Sequence, residues 1–141
     1  GKACDVLVID DYAHHPTELS ATLRAALDRF PERRVWAVFQ PHTFSRTSAL
    51  LNDFARALQI VEHRVVLDVY GAREKNEGTV TDDDMRRLAG EGGFRAADPQ
   101  AACELLLGLV KPGDVVLTLG AGDVTMLGPA LLDRFEQECS D

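Results

Sequence analysis

An α/β three-layer sandwich is the fold this sequence predicts: a mostly parallel sheet of five or six strands with helices on both faces. Three observations lead there. Short β-branched apolar runs alternate five times with longer segments of helical spacing. The runs are apolar almost throughout, as in strands covered on both sides. The chain has 141 residues, 45% hydrophobic and 27% charged, which suits one domain over residues 1–141 with a real core.

The elements follow in order. CDVLVID at 4–10 reads as a buried strand. Pro16 falls where a first helical position belongs, and Leu19, Leu23, Ala26, Leu27 and Phe30 follow at helical spacing. VWAVFQ at 35–40 is the second strand, with Trp36 and Phe39 expected in the core. Ser45 or Ser48 is placed to cap the next helix, whose inner face carries Leu50, Leu51, Phe54, Ala57 and Leu58. RVVLDVY at 64–70 is the third strand, and His63 before it reads as surface or structural. GAREKNEGTV at 71–80 is a polar loop. Thr81 caps a short helix through Leu88, with Asp84 completing an imperfect capping box. GFRAAD at 93–98 is a short strand. Asp98-Pro99 opens a helix over Ala101, Ala102, Leu105, Leu106 and Leu109. DVVLTLG at 114–120 is the last strand, and Asp123 is expected to cap a final helix with Val124, Leu127, Leu131 and Phe135 inward.

The formal net charge of −8 argues against a nucleic-acid backbone or an anionic membrane as partner, since both need a basic face. A small anionic ligand needs only a local cluster. Cys4, Cys103 and Cys139 are odd in number and far apart. They suggest neither a disulfide framework nor a CxxC metal pair, and a reducing cytosol fits best.

The residues a core does not need follow the strands. Asp10, Asp11, Tyr12, His14 and His15 come after the first; Gln40, His42, Ser45 and Arg46 after the second. Asp68, Tyr70, Arg73, Glu74 and Lys75 end or follow the third, and Gly120, Ala121, Gly122 and Asp123 follow the last. In a parallel sheet those ends share one edge, where open α/β sheets bind ligands. Each piece also has a plain reading: Asp as a turn residue, His as a cap neighbour, Arg46 as a solvated first-turn cation, glycines for tight packing. Their coincidence on one edge favours a site.

GAGDVT has Thr125 where a dinucleotide fingerprint needs its third glycine, and neither GxxxxGK[ST] nor GxSxG occurs. Adjacent histidines on a turn seldom reach one ion together, so no metal site is expected from His14, His15, His42 and Asp11. What remains is ligand positioning. Carboxylates suit ribose hydroxyls or an ammonium, Arg46 suits a carboxylate, and amides at the Gly120–Asp123 helix start suit an anion, with the Asp123 side chain competing for them. An ammonium partner and a carboxylate partner on one rim fit an amino acid.

DDYAHHPTE at 10–18, FQPHTFSRT at 39–47, DVYGAREK at 68–75 and GAGD at 120–123 resemble, in order, the C-terminal domain of the Mur ligases. The resemblance covers nearly the whole chain. It implies a Rossmann-like fold that binds the incoming amino acid and closes over nucleotide, within a longer ligase whose other domains bind the UDP-sugar and carry the P-loop. The absent P-loop and the abrupt start at Gly1-Lys2-Ala3 agree with that. Within the family the motifs point to members that join L-alanine to UDP-N-acetylmuramate in the cytoplasm through an acyl phosphate. ATP and Mg2+ would then be bound mainly by the central domain. By motif, Asp11 would contact nucleotide on the ribose and Tyr12 would lie near the adenine. His14, His15, His42 and Arg46 would face the amino-acid and acyl-phosphate region, and Gly120 to Asp123 the incoming amino acid. Many relatives read QPHR where this chain has Thr43, so that arginine's role is absent or filled by another group such as Arg73. The alternatives are the recycling ligase that adds a whole tripeptide, and a non-catalytic amino-acid or nucleotide-binding module.

Overall fold

The computed structural model of the chain describes residues 1–140. Its elements are β1 (Lys2–Ala3), β2 (Val6–Asp11), α1 (Pro16–Arg29), β3 (Val35–Phe39), α2 (Phe44–Ala49), α3 (Leu51–Leu58) and β4 (His63–Leu67). They continue with α4 (Asp82–Ala89), β5 (Phe94–Ala96), α5 (Pro99–Leu109), β6 (Val115–Leu119), a 3-10 turn (Asp123–Met126) and α6 (Leu127–Ser140). The six strands form one sheet in the order β1-β2-β6-β3-β4-β5. All neighbours are parallel except β1, which pairs antiparallel with β2. β6 therefore lies between β2 and β3, with Leu119 level with both Asp11 and Phe39.

The period-2 alternation of a strand divides the core into two layers. Val35, Ala37 and Phe39 face one layer with Leu19 and Leu23 of α1, Phe54 and Leu58 of α3, and Leu88 of α4. Trp36 and Val38 face the other with Leu106 of α5 and Leu127, Leu131 and Phe135 of α6. None of the helices among the described residues is long and apolar enough to cross a membrane.

Several expectations about elements are corrected. The first strand begins at Val6, because Cys4 and Asp5 adopt positive φ in the turn that lets β1 fold back. Leu27 is 37% exposed, because the stripe facing the sheet is Leu19, Leu23 and Ala26. Neither Ser45 nor Ser48 caps the second helical segment. Thr43 does, accepting the Arg46 amide hydrogen, and the segment breaks at Leu50 (φ −115°, ψ 19°) into α2 and α3. The third strand ends at Leu67; beyond it Tyr70 makes only a single bridge to His42. On α5 the buried positions are Ala102, Cys103 and Leu106, with Ala101 exposed. Asp123 caps nothing: it opens the 3-10 turn and its side chain makes no bond to the turn's amides. The Thr81–Asp84 capping box forms in full, with both reciprocal bonds. The six-stranded sheet takes the upper of the two strand counts expected.

The cysteines also depart from expectation. The last turn of α6 lies beside the β1–β2 turn, and Cys4 is joined there to Cys139, with Cα atoms 6.1 Å apart across 135 residues. That separation hides the pairing from any reading of spacing. Cys103 is free and buried, and burial raises its thiol pKa.

Two buried charges tie the amino-terminal edge together. Arg64 donates to the carbonyls of Ala89 (2.8 Å), Val61 (2.7 Å) and Glu91 (2.7 Å), so it closes the carboxyl end of α4 and the turn after α3. Asp114 accepts from the Arg34 guanidinium (2.7 Å), the Trp36 indole (3.1 Å) and the Lys111 amide (2.9 Å). Burial alone pushes the Asp114 carboxyl up, but the donors from Arg34, Lys111 and Trp36 outweigh it and hold the group below its ordinary range. Its stabilising contribution is thus present above that range and is lost as pH falls through it. Asp114→Asn keeps the shape and strands the guanidinium; it should cost on the order of 3 kcal/mol in urea unfolding. The variant's stability should also fall less steeply than the wild type's below about pH 4.

Candidate functional site at the carboxyl edge of the sheet

The chain leaves β2 through an aspartate turn. Asp11 Oδ1 accepts the Ala13 amide hydrogen (2.8 Å) and Oδ2 the Thr22 hydroxyl (3.4 Å), which turns the chain toward α1. Ala13 is buried by this turn and Tyr12 is pushed outward, 67% exposed. The two histidines then separate. His15 is the N-cap of α1, its Nδ1 accepting the Thr17 amide hydrogen at 3.3 Å. His14 stays over the edge, with its ring 6.5 Å from that of His42. The two rings therefore part: His14 lies over the edge, while His15 caps the helix and lines a groove between α1 and α3.

After β3 the chain passes Gln40 and Pro41 to His42. The segment is pinned to the end of β4 by two backbone bonds, Tyr70 N–H to Pro41 O and Thr43 N–H to Tyr70 O, both 2.8 Å. His42 packs 5.6 Å from the Tyr70 ring, and its Nδ1 is buried with no hydrogen-bond partner. Burial lowers the His42 pKa, and the nearby Arg46 and His14 lower it further. The ring is held neutral beside an arginine. Arg46, half-buried on α2, makes no ion pair among the described residues.

From sequence, Glu74 belongs to a solvated loop. In the fold its carboxylate accepts from the Ser45 amide (3.0 Å) and hydroxyl (2.6 Å). Those bonds hold its pKa below the usual range and pin the 71–75 loop to the start of α2. Arg73 is exposed on that loop.

The fourth segment follows β6. Gly120 donates its amide hydrogen to Asp11 O (3.0 Å) and adopts φ +137°, with Gln40 O 2.8 Å from where a Cβ would stand. Both constraints require glycine. A Cβ on Gly122 would stand 2.6 Å from Tyr70 Cγ and 2.7 Å from Gln40 Oε1. Asp123 is exposed, and Ala121 beside it is exposed too. The Asp123 carboxylate accepts from Gln40 Nε2 instead of competing for the loop's amides. The Val124 amide is also taken, donating to Gln40 Oε1 at 3.0 Å. Sequence reasoning noticed Gln40 but gave it no role. The signal available was a glutamine closing an otherwise apolar buried strand.

Asp11, Tyr12, His14, His42, Arg46 and the Gly120–Asp123 loop thus share one edge. Arg73 rides on an adjoining exposed loop. Among the described residues no three His, Cys, Asp or Glu side chains group closely enough to hold a metal ion. The edge carries a cation without an ion pair among the described residues, an imidazole whose pKa is lowered by burial, and an exposed carboxylate.

The profile of the family described as "Mur ligase, glutamate ligase domain" matches residues 1–122. UDP-N-acetylmuramate–L-alanine ligase of Saccharopolyspora erythraea is 50% identical over 98% of this chain, which spans 29% of that relative's length. Among solved structures, UDP-N-acetylmuramate–alanine ligase from Thermotoga maritima superposes with TM-score 0.72 at 27% identity, covering 94% of this chain and 27% of that one. A murein peptide ligase from Psychrobacter arcticus shares the fold, with TM-score 0.75 at 22% identity, over 96% of this chain and 28% of that one. The chain belongs to the Mur ligase family.

Two outcomes check the site's construction. Gly120→Ala should lower stability by about 2 kcal/mol in urea unfolding, since it adds strain at positive φ and a backbone clash. The His42 pKa is depressed in the fold, so the unfolded chain takes up that proton more readily. Stability from the neutral ring is present above the ordinary histidine range and is lost as pH falls through it. Unfolding midpoints measured from about pH 7.5 to 5 should therefore decline, and His42→Gln should flatten that decline.

Proposed function

We propose that this chain is the C-terminal domain of a longer ATP-dependent ligase that joins L-alanine to UDP-N-acetylmuramate in cytoplasmic peptidoglycan precursor synthesis. The observation that carries the reading is 50% identity to such a ligase over 98% of the chain. The presence of Arg46, His42 and Asp123 on segments leaving the same sheet edge supports it. In the reaction, ATP phosphorylates the muramoyl carboxylate. The alanine ammonium gives up a proton to solvent, and the free amine bonds to the carbonyl carbon of the resulting acyl phosphate. The tetrahedral intermediate collapses to the amide as the C–O bond to phosphate breaks, the second amine proton also passing to solvent. The N-terminal and central domains hold UDP-N-acetylmuramate, ATP and Mg2+, the ion neutralising phosphate charge when bound.

This chain's part is orientation and charge. Arg46, free of any carboxylate of its own among the described residues, takes the alanine carboxylate, and bidentate geometry fixes its direction. Asp123 and the loop from Gly120 through Ala121 and Gly122 face the ammonium end. His42, held neutral, adds a polar contact without repelling that cation, and His14 lies beside it. Asp11 and Tyr12 border the nucleotide at ribose and adenine, with Tyr12 already exposed to meet it. Arg73 is the nearby loop cation placed to act where relatives carry an arginine at the Thr43 position. His15 contributes by capping α1.

The test uses the full-length ligase and follows phosphate release with ATP, Mg2+ and UDP-N-acetylmuramate, comparing L-alanine with the tripeptide as acceptor. Release with L-alanine is expected, and Arg46→Ala should lower kcat/KM for L-alanine by about 100-fold, the loss of one charged bidentate contact. Release only with the tripeptide would transfer the chain to the recycling ligase. Release with neither acceptor would leave a binding module.

A further inference from the structure

Resting on that reading, we infer that Gln40 is the positioning residue of the amine subsite, fixing Asp123 and the Gly120–Gly122 backbone in the arrangement that meets the incoming amine. Gln40 is only 4% exposed, yet it is polar and sits at the end of a buried strand. Its carboxamide is used at both ends. Nε2 donates to Asp123 Oδ1, and Oε1 accepts the Val124 amide hydrogen at 3.0 Å. The backbone takes part as well: Gln40 N donates to Leu119 O at 3.0 Å, and Gln40 O lies 2.8 Å from the Cβ position of Gly120.

The chemistry of the position selects glutamine. Asp123 needs a donor and the Val124 N–H needs an acceptor, from one side chain. A carboxamide supplies both; a carboxylate supplies only the acceptor and would set two negative charges against each other, and an apolar side chain supplies neither. Val124 is fully buried, so its amide would lose its only described partner. Gln40 holds one oxygen of Asp123, and the other has no protein donor among the described residues. That oxygen is left to a ligand cation. With Tyr70, Gln40 also forms the wall against which Gly122 has no room for a side chain. Gln40 touches no substrate in this assignment; it acts through Asp123 and the loop.

The experiment measures KM and kcat for each substrate of the full-length ligase in the wild type, Gln40→Leu, Asp123→Asn and the double variant. Thermal unfolding of each is followed in parallel. Gln40→Leu should raise KM for L-alanine 10-fold or more, with KM for ATP and for UDP-N-acetylmuramate within twofold of wild type. Because Gln40 acts through Asp123, adding Gln40→Leu to Asp123→Asn should raise the alanine KM less than threefold further. A purely structural role predicts something else: reduced active fraction, with every KM unchanged or all of them shifted together. That result would overturn the inference. Should Gln40→Leu not fold, Gln40→Glu, which keeps the acceptor for the Val124 amide and removes the donor to Asp123, takes its place. An alanine KM within twofold of wild type would overturn the inference, and a 10-fold rise confined to alanine would support it. A wild-type enzyme that does not turn over L-alanine refutes the proposed function and this inference with it. A wild type that does, with unmoved alanine KM in the variants, refutes this inference only.

Discussion

Because β6 is inserted between β2 and β3, the carboxyl edge of the sheet has little freedom left. Parallel pairing on both sides puts Leu119 level with Asp11 and Phe39. The three chain segments leaving those strands then have to emerge side by side. Gly120 donates to Asp11 O, Gln40 donates to Leu119 O, and Gln40 reaches over to hold the turn that follows Gly120. Parallel strands also require long crossovers, and these carry α1 and α3 to one face and α5 to the other.

Given that placement, the site is assembled mainly by local bonds that also end or begin helices. Thr43 caps α2 and so orients Arg46; Glu74 receives the Ser45 amide and hydroxyl. His15 caps α1, which leaves His14 to turn over the edge toward His42. The same bonds that satisfy helix termini therefore set the direction of the charged and polar groups. The exception is His42 Nδ1, buried without a partner. That atom is enclosed against the Tyr70 ring, and burial is the main cause of the lowered His42 pKa.

Much of this was legible in the chain because it depends on near neighbours. Pro16, Asp98-Pro99 and Thr81 with Asp84 announce helix starts through bonds spanning one turn, and the structure forms each of them. The strands are visible because burial on both faces demands continuous apolar runs. The clustering of unusual residues after strands followed from parallel topology, and the four motifs in order resembled the family to which the profile match assigns the chain. Misreadings arose where a local pattern had competing partners. Ser45 suited a cap but Thr43, at φ 61°, took it; Asp123 suited a cap but Gln40, 83 residues away, took its carboxylate.

Residue order alone was enough for the fold class, the helix starts, the edge on which the unusual polar residues gather and the family. Each of these depends on periodicity, capping chemistry or motif, which act within one element and its adjoining turn. Folding in three dimensions was needed to bring Gln40 onto the last loop, to set Arg64 at the end of α4, to send His14 and His15 to different ends, and to join Cys4 to Cys139. Apart from the local division between the histidines, these are contacts between residues far apart in the chain. Nothing in the spacing of such residues records them, because they are fixed by the order in which the strands pair and by which helix packs beside which.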